Sequence, residues 1–140
     1  MGGHNKNKPA AFTLVELLVA LIIIGIFFSL AIPSYQSSIE KSKAKNAEYT
    51  LISIYNSQKR YKLDHNHYYA CAAAVCTADE LENQSNLGVY ISDSYFNYSI
   101  TNTSSSFNAT ATRRGEGICG GMNMSVIEKG SQVNKECEVW

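Results

Sequence analysis

The sequence predicts an α+β fold in which one long N-terminal helix packs against a small antiparallel sheet of three to four strands. Three observations support this prediction. An apolar run fills residues 12–32, a helical pattern of apolar side chains follows it to about residue 64, and short alternating runs separated by turn residues occupy the C-terminal half. Helical periodicity therefore changes to strand periodicity once along the chain.

Composition limits the classes of function. The chain has 140 residues with 12 basic and 12 acidic side chains, so its formal net charge is zero. Bulk charge gives no argument for nucleic-acid binding, and a nucleic-acid partner is possible but unsupported. The sequence contains no nucleophile elbow, phosphate-binding loop or zinc-protease motif. We expect a non-enzymatic protein without a cofactor or a metal.

Residues 1–11 are polar and basic. They contain Lys6 and Lys8 and no acidic side chain, which is similar to the start of an export signal. No small-residue cleavage pattern follows the apolar run, so we expect that run to be retained and any cleavage to lie before it. The sequence therefore predicts a leader peptide over residues 1–11.

The apolar run of residues 12–32 contains 21 residues, of which Glu16 is the only charged one. As a helix it is roughly 31 Å long, which matches a hydrocarbon core of about 30 Å. A carboxylate in the middle of a bilayer costs on the order of 2.5–3.5 kcal/mol, so Glu16 is expected to have a partner. We assign residues 12–33 to an apolar, membrane-spanning half of the helix.

Residues 34–64 carry the pattern of an amphipathic helix half. Its apolar stripe recurs at spacings of three, four and seven: Ala44, Ala47, Leu51, Ile54 or Tyr55, and Tyr61. Pro33 predicts a kink in one long helix. Gly25 and Pro33 both weaken a helix interior, by about 1 and 3 kcal/mol, although both residue types are common in membrane helices.

Residues 65–140 have the texture of a small globular head. Thr77 and Glu80 form a capping-box pattern, which predicts a brief helix to about Glu82. Alternating runs predict strands at residues 95–101, 107–113 and 122–127, and a short fourth strand at 138–140. The first two strands are joined by polar residues 102–106, as in an antiparallel hairpin.

Four cysteines lie in this head: Cys71, Cys76, Cys119 and Cys137. An even number favours disulfides in an oxidising compartment over four reduced thiols in the cytoplasm. Three pairings are open, and the spacings fit neither a thioredoxin-like pair nor a zinc site. Lysines flank the apolar run on both sides and orient it poorly, so it is the cysteines that place the head outside the cytoplasm.

Two further candidate sites are weaker. His65 and His67 could bind a metal, although two histidines in a turn are usually solvated. Arg113 and Arg114 could contact DNA or a surface ligand, although a two-residue basic patch is normally part of a solvated loop.

The segment Phe12, Thr13, Leu14, Val15 and Glu16 has a short basic leader before it and an apolar run after it. This combination closely resembles the N-terminus of type IV pilins, and type II secretion pseudopilins share it. The motif covers about the first quarter of the chain. The rest is similar in layout, with a long helix, then a sheet, then a cysteine pair near the C-terminus.

The resemblance implies cleavage by a prepilin peptidase between Ala11 and Phe12, and N-methylation of Phe12. The family usually has glycine where this chain has Ala11, which is small enough for the same pocket. The resemblance also implies that Glu16 pairs with the new Phe12 amine of a neighbouring subunit and sets the register of assembly. A pair within one chain is the alternative. Gly25 and Pro33 then bracket a segment that melts on polymerisation or are simply tolerated.

For the cysteines, the resemblance implies a disulfide between Cys119 and Cys137, which leaves Cys71 with Cys76. The implied function is a structural subunit of a type IV pilus. It is stored in the inner membrane with its head in the periplasm, and assembly machinery polymerises it for adhesion, motility or DNA uptake. The alternatives are a type II secretion pseudopilin or a minor pilin. An alternative from another class is a signal-anchored periplasmic binding module that does not assemble.

Overall fold

The structure is a computed structural model that describes residues 12–140. It has the predicted α+β architecture, with a long helix before a four-stranded antiparallel sheet whose strands follow the order β1-β2-β3-β4. The helices are α1, Leu14–His65, and α2, Ala78–Glu82. The strands are β1, Phe96–Asn102; β2, Phe107–Arg113; β3, Asn123–Ile127; and β4, Gly130–Lys135.

Helix α1 is assigned without interruption across Pro33, and the predicted kink there stays a prediction. The chain divides into two units between Gln36 and Ser37, and α1 contributes to both. The predicted leader over residues 1–11 lies outside the described residues.

The core of the second unit lies between α1 and one face of the sheet. Helix α1 buries the predicted stripe, and alternate residues of three strands bury the opposing side chains. These residues are Ala44, Ala47, Leu51 and Ile54 from the helix, and Phe96, Tyr98, Ile100, Phe107, Ala109, Ala111, Met124 and Val126 from the strands. Tyr55 and Tyr61, the last positions of the stripe, are partly buried against this cluster.

Three strands lie close to their predicted positions, but the fourth does not. Strand β4 runs over Gly130–Lys135, whereas the prediction placed a strand at residues 138–140. The prediction was wrong because β4 is an exposed, mostly polar edge strand that lacks the alternation on which the prediction depended. The chain end instead packs Trp140 against Phe96, with ring centroids 5.9 Å apart.

The predicted short helix α2 begins with a complete capping box. The Thr77 hydroxyl accepts a hydrogen bond from the Glu80 backbone N–H, and the Glu80 carboxylate accepts one from the Thr77 backbone N–H at 2.9 Å. The same carboxylate also accepts from the Ala72 N–H at 3.1 Å. These bonds hold the pKa of Glu80 below its ordinary value, chiefly through the backbone N–H groups of Thr77 and Ala72.

The outer edge of β1 is partly covered by the segment between Cys71 and Cys76. The Cys71 N–H donates to the Ile100 carbonyl at 3.2 Å, and the Cys76 N–H donates to the Tyr98 carbonyl at 2.8 Å. Two outward-facing carbonyls of the strand therefore have backbone partners. Glu80 holds this covering segment from its other side through Ala72.

Candidate functional site

The first candidate site is the apolar segment of residues 12–32, at the start of α1. Its large apolar side chains, from Phe12 at 84% to Val19 at 48%, are all substantially exposed. Helix α1 is the one helix within residues 12–140 that is long and apolar enough to cross a membrane, by length and composition. Water does not favour so much exposed apolar surface, so this segment fits a lipid or a protein partner.

Glu16 forms hydrogen bonds with Thr13 that the sequence motif did not predict. The Thr13 hydroxyl accepts from the Glu16 backbone N–H at 3.2 Å, and Glu16 Oε2 accepts from the Thr13 backbone N–H at 3.5 Å. Thr13 precedes the first residue of α1, so the two residues form a capping box. The spacing of Thr13 and Glu16 matches that of Thr77 and Glu80, and this signal could have been found in the sequence. Glu16 therefore has a local partner before any assembly.

The two arginines that were candidates for DNA contact lie in different environments. Arg113 is the last residue of β2 and is only 8% exposed, because alternation along β2 turns residues 107, 109, 111 and 113 toward the helix. Its guanidinium binds both oxygens of Glu40. The prediction of a solvated loop was therefore wrong for Arg113. Arg114 is exposed and donates to the Ser94 carbonyl at 3.2 Å.

The cysteines form two disulfides. Cys71 bonds to Cys76 and Cys119 bonds to Cys137, which is the pairing that the resemblance to pilins implied among the three open ones. The first pair closes the segment that covers β1. The second joins the loop after β2 to the chain after β4, and Cys119 and Cys137 are both buried.

His65 and His67 lie at and just after the end of α1. Each ring Nδ1 contacts a backbone carbonyl, of Tyr61 at 3.2 Å and of His65 at 2.9 Å, so each Nδ1 donates a hydrogen bond. The His65 ring stacks on the Tyr61 ring at 4.0 Å. Among residues 12–140, no group of three or more histidine, cysteine or carboxylate side chains could hold a metal ion.

A second candidate site is a basic cleft where α1 ends beside the β3–β4 turn. Lys59, Lys62, Asn66 and Glu128 contribute to a cavity of about 440 Å³. Lys129 lines a neighbouring cavity of about 300 Å³, together with amide and hydroxyl side chains of the β1–β2 hairpin. We call these two cavities together the basic cleft.

The charges of the basic cleft are only partly neutralised. Lys59 Nζ lies 2.9 Å from Glu128 Oε1, and this bond raises the pKa of Lys59 and lowers that of Glu128. Lys62 Nζ lies 4.4 Å from the centre of the Tyr68 ring. Within residues 12–140, neither Lys62 nor Lys129 forms an ion pair with a carboxylate. Lys62 Nζ donates to the Tyr68 hydroxyl at 3.3 Å, and the positive charges of both lysines remain without a carboxylate partner.

A long N-terminal helix with an exposed apolar start, packed by its second part on a four-stranded antiparallel sheet, is the architecture of pilins and pseudopilins. Residues 6–32 match the sequence model of the prokaryotic N-terminal methylation motif. Residues 33–138 match the sequence model described as "Type IV minor pilin ComP, DNA uptake sequence receptor". The chain belongs to this family of type IV minor pilins.

Curated relatives match about half of the chain. The type II secretion system core protein G of Escherichia coli (strain K12) is 36% identical over 62 residues, which are 44% of this chain and 43% of that protein. The corresponding protein of Aeromonas hydrophila is 35% identical over 63 residues, 45% of this chain and 44% of that protein. The type IV major pilin protein PilA of Myxococcus xanthus is 33% identical over 77 residues, 55% of this chain and 35% of that protein.

The match with these curated relatives spans less than half of their length. No solved structure matches the chain significantly. Pilins and pseudopilins are structural, non-enzymatic subunits, so the chain belongs to a class of structural proteins and not of enzymes.

Proposed function

We propose that the protein is a minor subunit of a type IV pilus and that its head takes part in DNA uptake. The observation that carries the first part is the exposure of the apolar segment, residues 12–32, in a chain whose second unit is a folded head. Such a segment anchors the subunit in the inner membrane before assembly and packs between subunits afterwards. The pseudopilin role is the second candidate, supported by the relatives from type II secretion systems.

Processing is the first step of this proposal. A prepilin peptidase cuts between Ala11 and Phe12, and the new Phe12 amine is methylated; the match to the N-terminal methylation motif over residues 6–32 supports this step. Mass spectrometry of the mature chain tests it, with a methylated Phe12 at the N-terminus as the expected result. A mature chain that retains residues 1–11 would contradict it and favour a signal-anchored periplasmic module.

Glu16 is proposed to set the register of assembly by pairing with the Phe12 amine of a neighbouring subunit. Pairing offsets much of the cost of burying both charges. The capping box offers a competing role for Glu16, the initiation of α1. Two variants separate the roles: Thr13→Val removes the hydroxyl cap and keeps the acid, whereas Glu16→Gln keeps a capping side chain and removes the charge.

Incorporation into sheared filaments is the measurement for these two variants. We expect Glu16→Gln to abolish incorporation and Thr13→Val to reduce it only slightly. Equal loss in both variants would assign Glu16 to helix initiation. Wild-type incorporation of Glu16→Gln would exclude the register role.

The stretch from Gly25 to Pro33 is proposed to unwind during polymerisation. A Cβ atom at Gly25 would meet nothing within 4 Å, so Gly25→Ala strengthens the helix without a clash in the subunit. Alanine favours a helix interior by about 1 kcal/mol over glycine. We expect Gly25→Ala to leave membrane insertion unchanged and to slow assembly. Assembly at the wild-type rate would mean that Gly25 is only a tolerated residue.

The DNA-uptake part of the proposal draws on the description of the family and on the basic cleft. DNA binding needs cations that are free to replace counterions, and Lys62 and Lys129 meet that need. Amide and hydroxyl side chains beside them, such as Asn66 and Thr103, suit contacts to phosphates and base edges.

Fluorescence anisotropy with duplex DNA at several salt concentrations tests the basic cleft. We expect Lys62→Ala and Lys129→Ala each to weaken binding and to reduce the salt slope by about 1. Lys41→Ala, which removes an exposed lysine elsewhere on the head that forms no ion pair within residues 12–140, is the matched control and should keep both values. Unchanged DNA affinity in both cleft variants would place DNA binding elsewhere or remove it from the function.

A further inference from the structure

A shallow groove lies between α1 and the loop that precedes β1. It has a volume of about 280 Å³ and is lined by Asn46, Tyr49, Thr50, Ser53, Tyr90 and Ser92. We call it the tyrosine groove. All of its lining residues belong to the second unit of the chain, and none belongs to the basic cleft.

Two exposed tyrosines are the most unusual part of this groove. Tyr49 is 66% exposed and Tyr90 is 74% exposed, one on the helix and one on the loop. Within residues 12–140, neither hydroxyl bonds to another group, and neither ring packs on another aromatic ring. An aromatic ring that neither packs in the core nor uses its hydroxyl is available for a ligand.

The other lining side chains are uncharged hydrogen-bonding groups. Asn46 offers an amide, and Thr50, Ser53 and Ser92 offer hydroxyls. Among the described residues, no lysine, arginine, carboxylate or aliphatic side chain lines the groove. The Thr50 hydroxyl is less available to a ligand than the others, because it already donates to the Asn46 carbonyl at 3.1 Å.

This combination selects among ligand chemistries. A nucleic acid requires cations for its phosphates, and none lines the groove. Protein interfaces also use tyrosine, but the buried centre of an interface is largely apolar, and every lining side chain here other than the two tyrosines is polar. A sugar ring has an apolar face of C–H groups, which suits a tyrosine ring, and a rim of hydroxyls, which suits amide and hydroxyl partners.

We propose that the tyrosine groove binds an uncharged oligosaccharide, with sugar rings seated on Tyr49 and Tyr90. The amide of Asn46 and the hydroxyls of Ser53 and Ser92 bond to the sugar hydroxyls. This site is separate from the basic cleft and does not depend on DNA binding. It gives the head a second ligand class, one that salt does not displace.

The test uses the full chain in a zwitterionic detergent, because detergents with sugar headgroups would compete for the groove. The probes are linear tetrasaccharides of glucose, of N-acetylglucosamine and of galactose, titrated by calorimetry. We expect saturable binding of at least one of them, insensitive to salt. Tyr49→Ala and Tyr90→Ala should each weaken that binding about tenfold, the usual cost of one stacked ring.

Two controls separate stacking from folding. Tyr49→Phe keeps the ring and should keep most of the affinity. Tyr35→Ala removes a tyrosine outside the groove whose exposure, 69%, lies between those of Tyr49 and Tyr90, and it should change nothing. The absence of saturable binding for all three sugars would overturn the proposal, as would wild-type affinity in both alanine variants. If no sugar binds and Tyr49→Ala or Tyr90→Ala abolishes incorporation into filaments, the proposal is also overturned, and the groove is then an interface between subunits.

Discussion

Arg113 forms a buried, bidentate ion pair with Glu40, which lies 73 residues earlier in the sequence. Arg113 Nη2 donates to Glu40 Oε1 at 2.8 Å, and Arg113 Nε donates to Glu40 Oε2 at 3.0 Å. Each residue is only 8% exposed. The pair fastens the end of β2 to α1 four residues before the apolar stripe begins at Ala44.

Replacing Glu40 tests how much this pair contributes. Glu40→Gln removes the carboxylate that binds the buried Arg113 guanidinium, so we expect the free energy of unfolding to fall by about 3 kcal/mol. Urea denaturation monitored by circular dichroism measures the change. Glu138→Gln, at an exposed glutamate, is the matched control and should stay within about 0.5 kcal/mol of the wild type. A similarly small change in Glu40→Gln would mean that water solvates the pair.

Acid should destabilise the head. The hydrogen bond from Arg113 lowers the pKa of Glu40, and the hydrogen bond from Lys135 lowers the pKa of Glu48, both from an ordinary value of 4.5. A carboxylate with a lowered pKa stabilises the folded state above the unfolded-state pKa and loses that contribution as the pH falls through the folded-state pKa.

We therefore expect the melting temperature to be level near neutral pH and to fall once the pH drops below about 4.5. Thermal melts across a pH series measure this. In the Glu40→Gln variant the melting temperature should fall less steeply with decreasing pH, because one of the groups that take up protons is absent. An equally steep fall in both proteins would assign the acid sensitivity to other carboxylates.

The two disulfides should differ in their contribution. Cys119 and Cys137 are separated by 18 positions and Cys71 and Cys76 by 5. In the chain-entropy model, such loops contribute about 3 and about 2 kcal/mol respectively. We expect Cys119→Ser with Cys137→Ser to lower stability more than Cys71→Ser with Cys76→Ser. Denaturation without reductant compares the two double variants, and the reverse order would show that the cover on β1 outweighs loop length.

Gln58 replaces a missing backbone partner inside the core. It is fully buried; its Nε2 donates to the Tyr69 carbonyl at 2.8 Å, and its Oε1 accepts from the Tyr69 N–H at 2.9 Å. Gln58→Leu leaves both backbone groups unpaired, each at about 1–3 kcal/mol. We expect a marked loss of stability and faster amide exchange at Tyr69. Gln84→Leu, at an exposed glutamine, is the control and should change neither.

The sequence specified those parts of the fold that rest on short-range rules. The stripe through Ala44 and Leu51, the capping box at Thr77 and the first three strands each follow from periodicity or local hydrogen bonding. Strand β4 could not be found in this way, because an exposed polar edge strand carries no burial pattern. The partner of Arg113 could not be predicted either, because no local sequence pattern at Glu40 or at Arg113 indicates a contact across 73 residues.

The candidate sites also include parts that the sequence predicted and parts that it did not. The apolar segment and Glu16 were predicted from the sequence, because a single charged residue within a contiguous apolar run is visible in the sequence itself. The basic cleft and the tyrosine groove gather residues from segments far apart in the chain, such as Lys62 with Lys129 and Tyr49 with Tyr90. Only the folded arrangement brings such groups together.

The segment closed by Cys71 and Cys76 limits how the sheets of two neighbouring heads could pair. A sheet grows from chain to chain only if an incoming strand finds an open row of donors and acceptors, and the Tyr98 and Ile100 carbonyls are already occupied. On the other side, the paired strands β3 and β4 have an irregular register between Ser125 and Ile127, and Lys135 ends β4. In the proposed pilus, where heads lie at high local concentration, these features oppose sheet-to-sheet fusion into fibrils, and the N-terminal helix remains the proposed route of polymerisation.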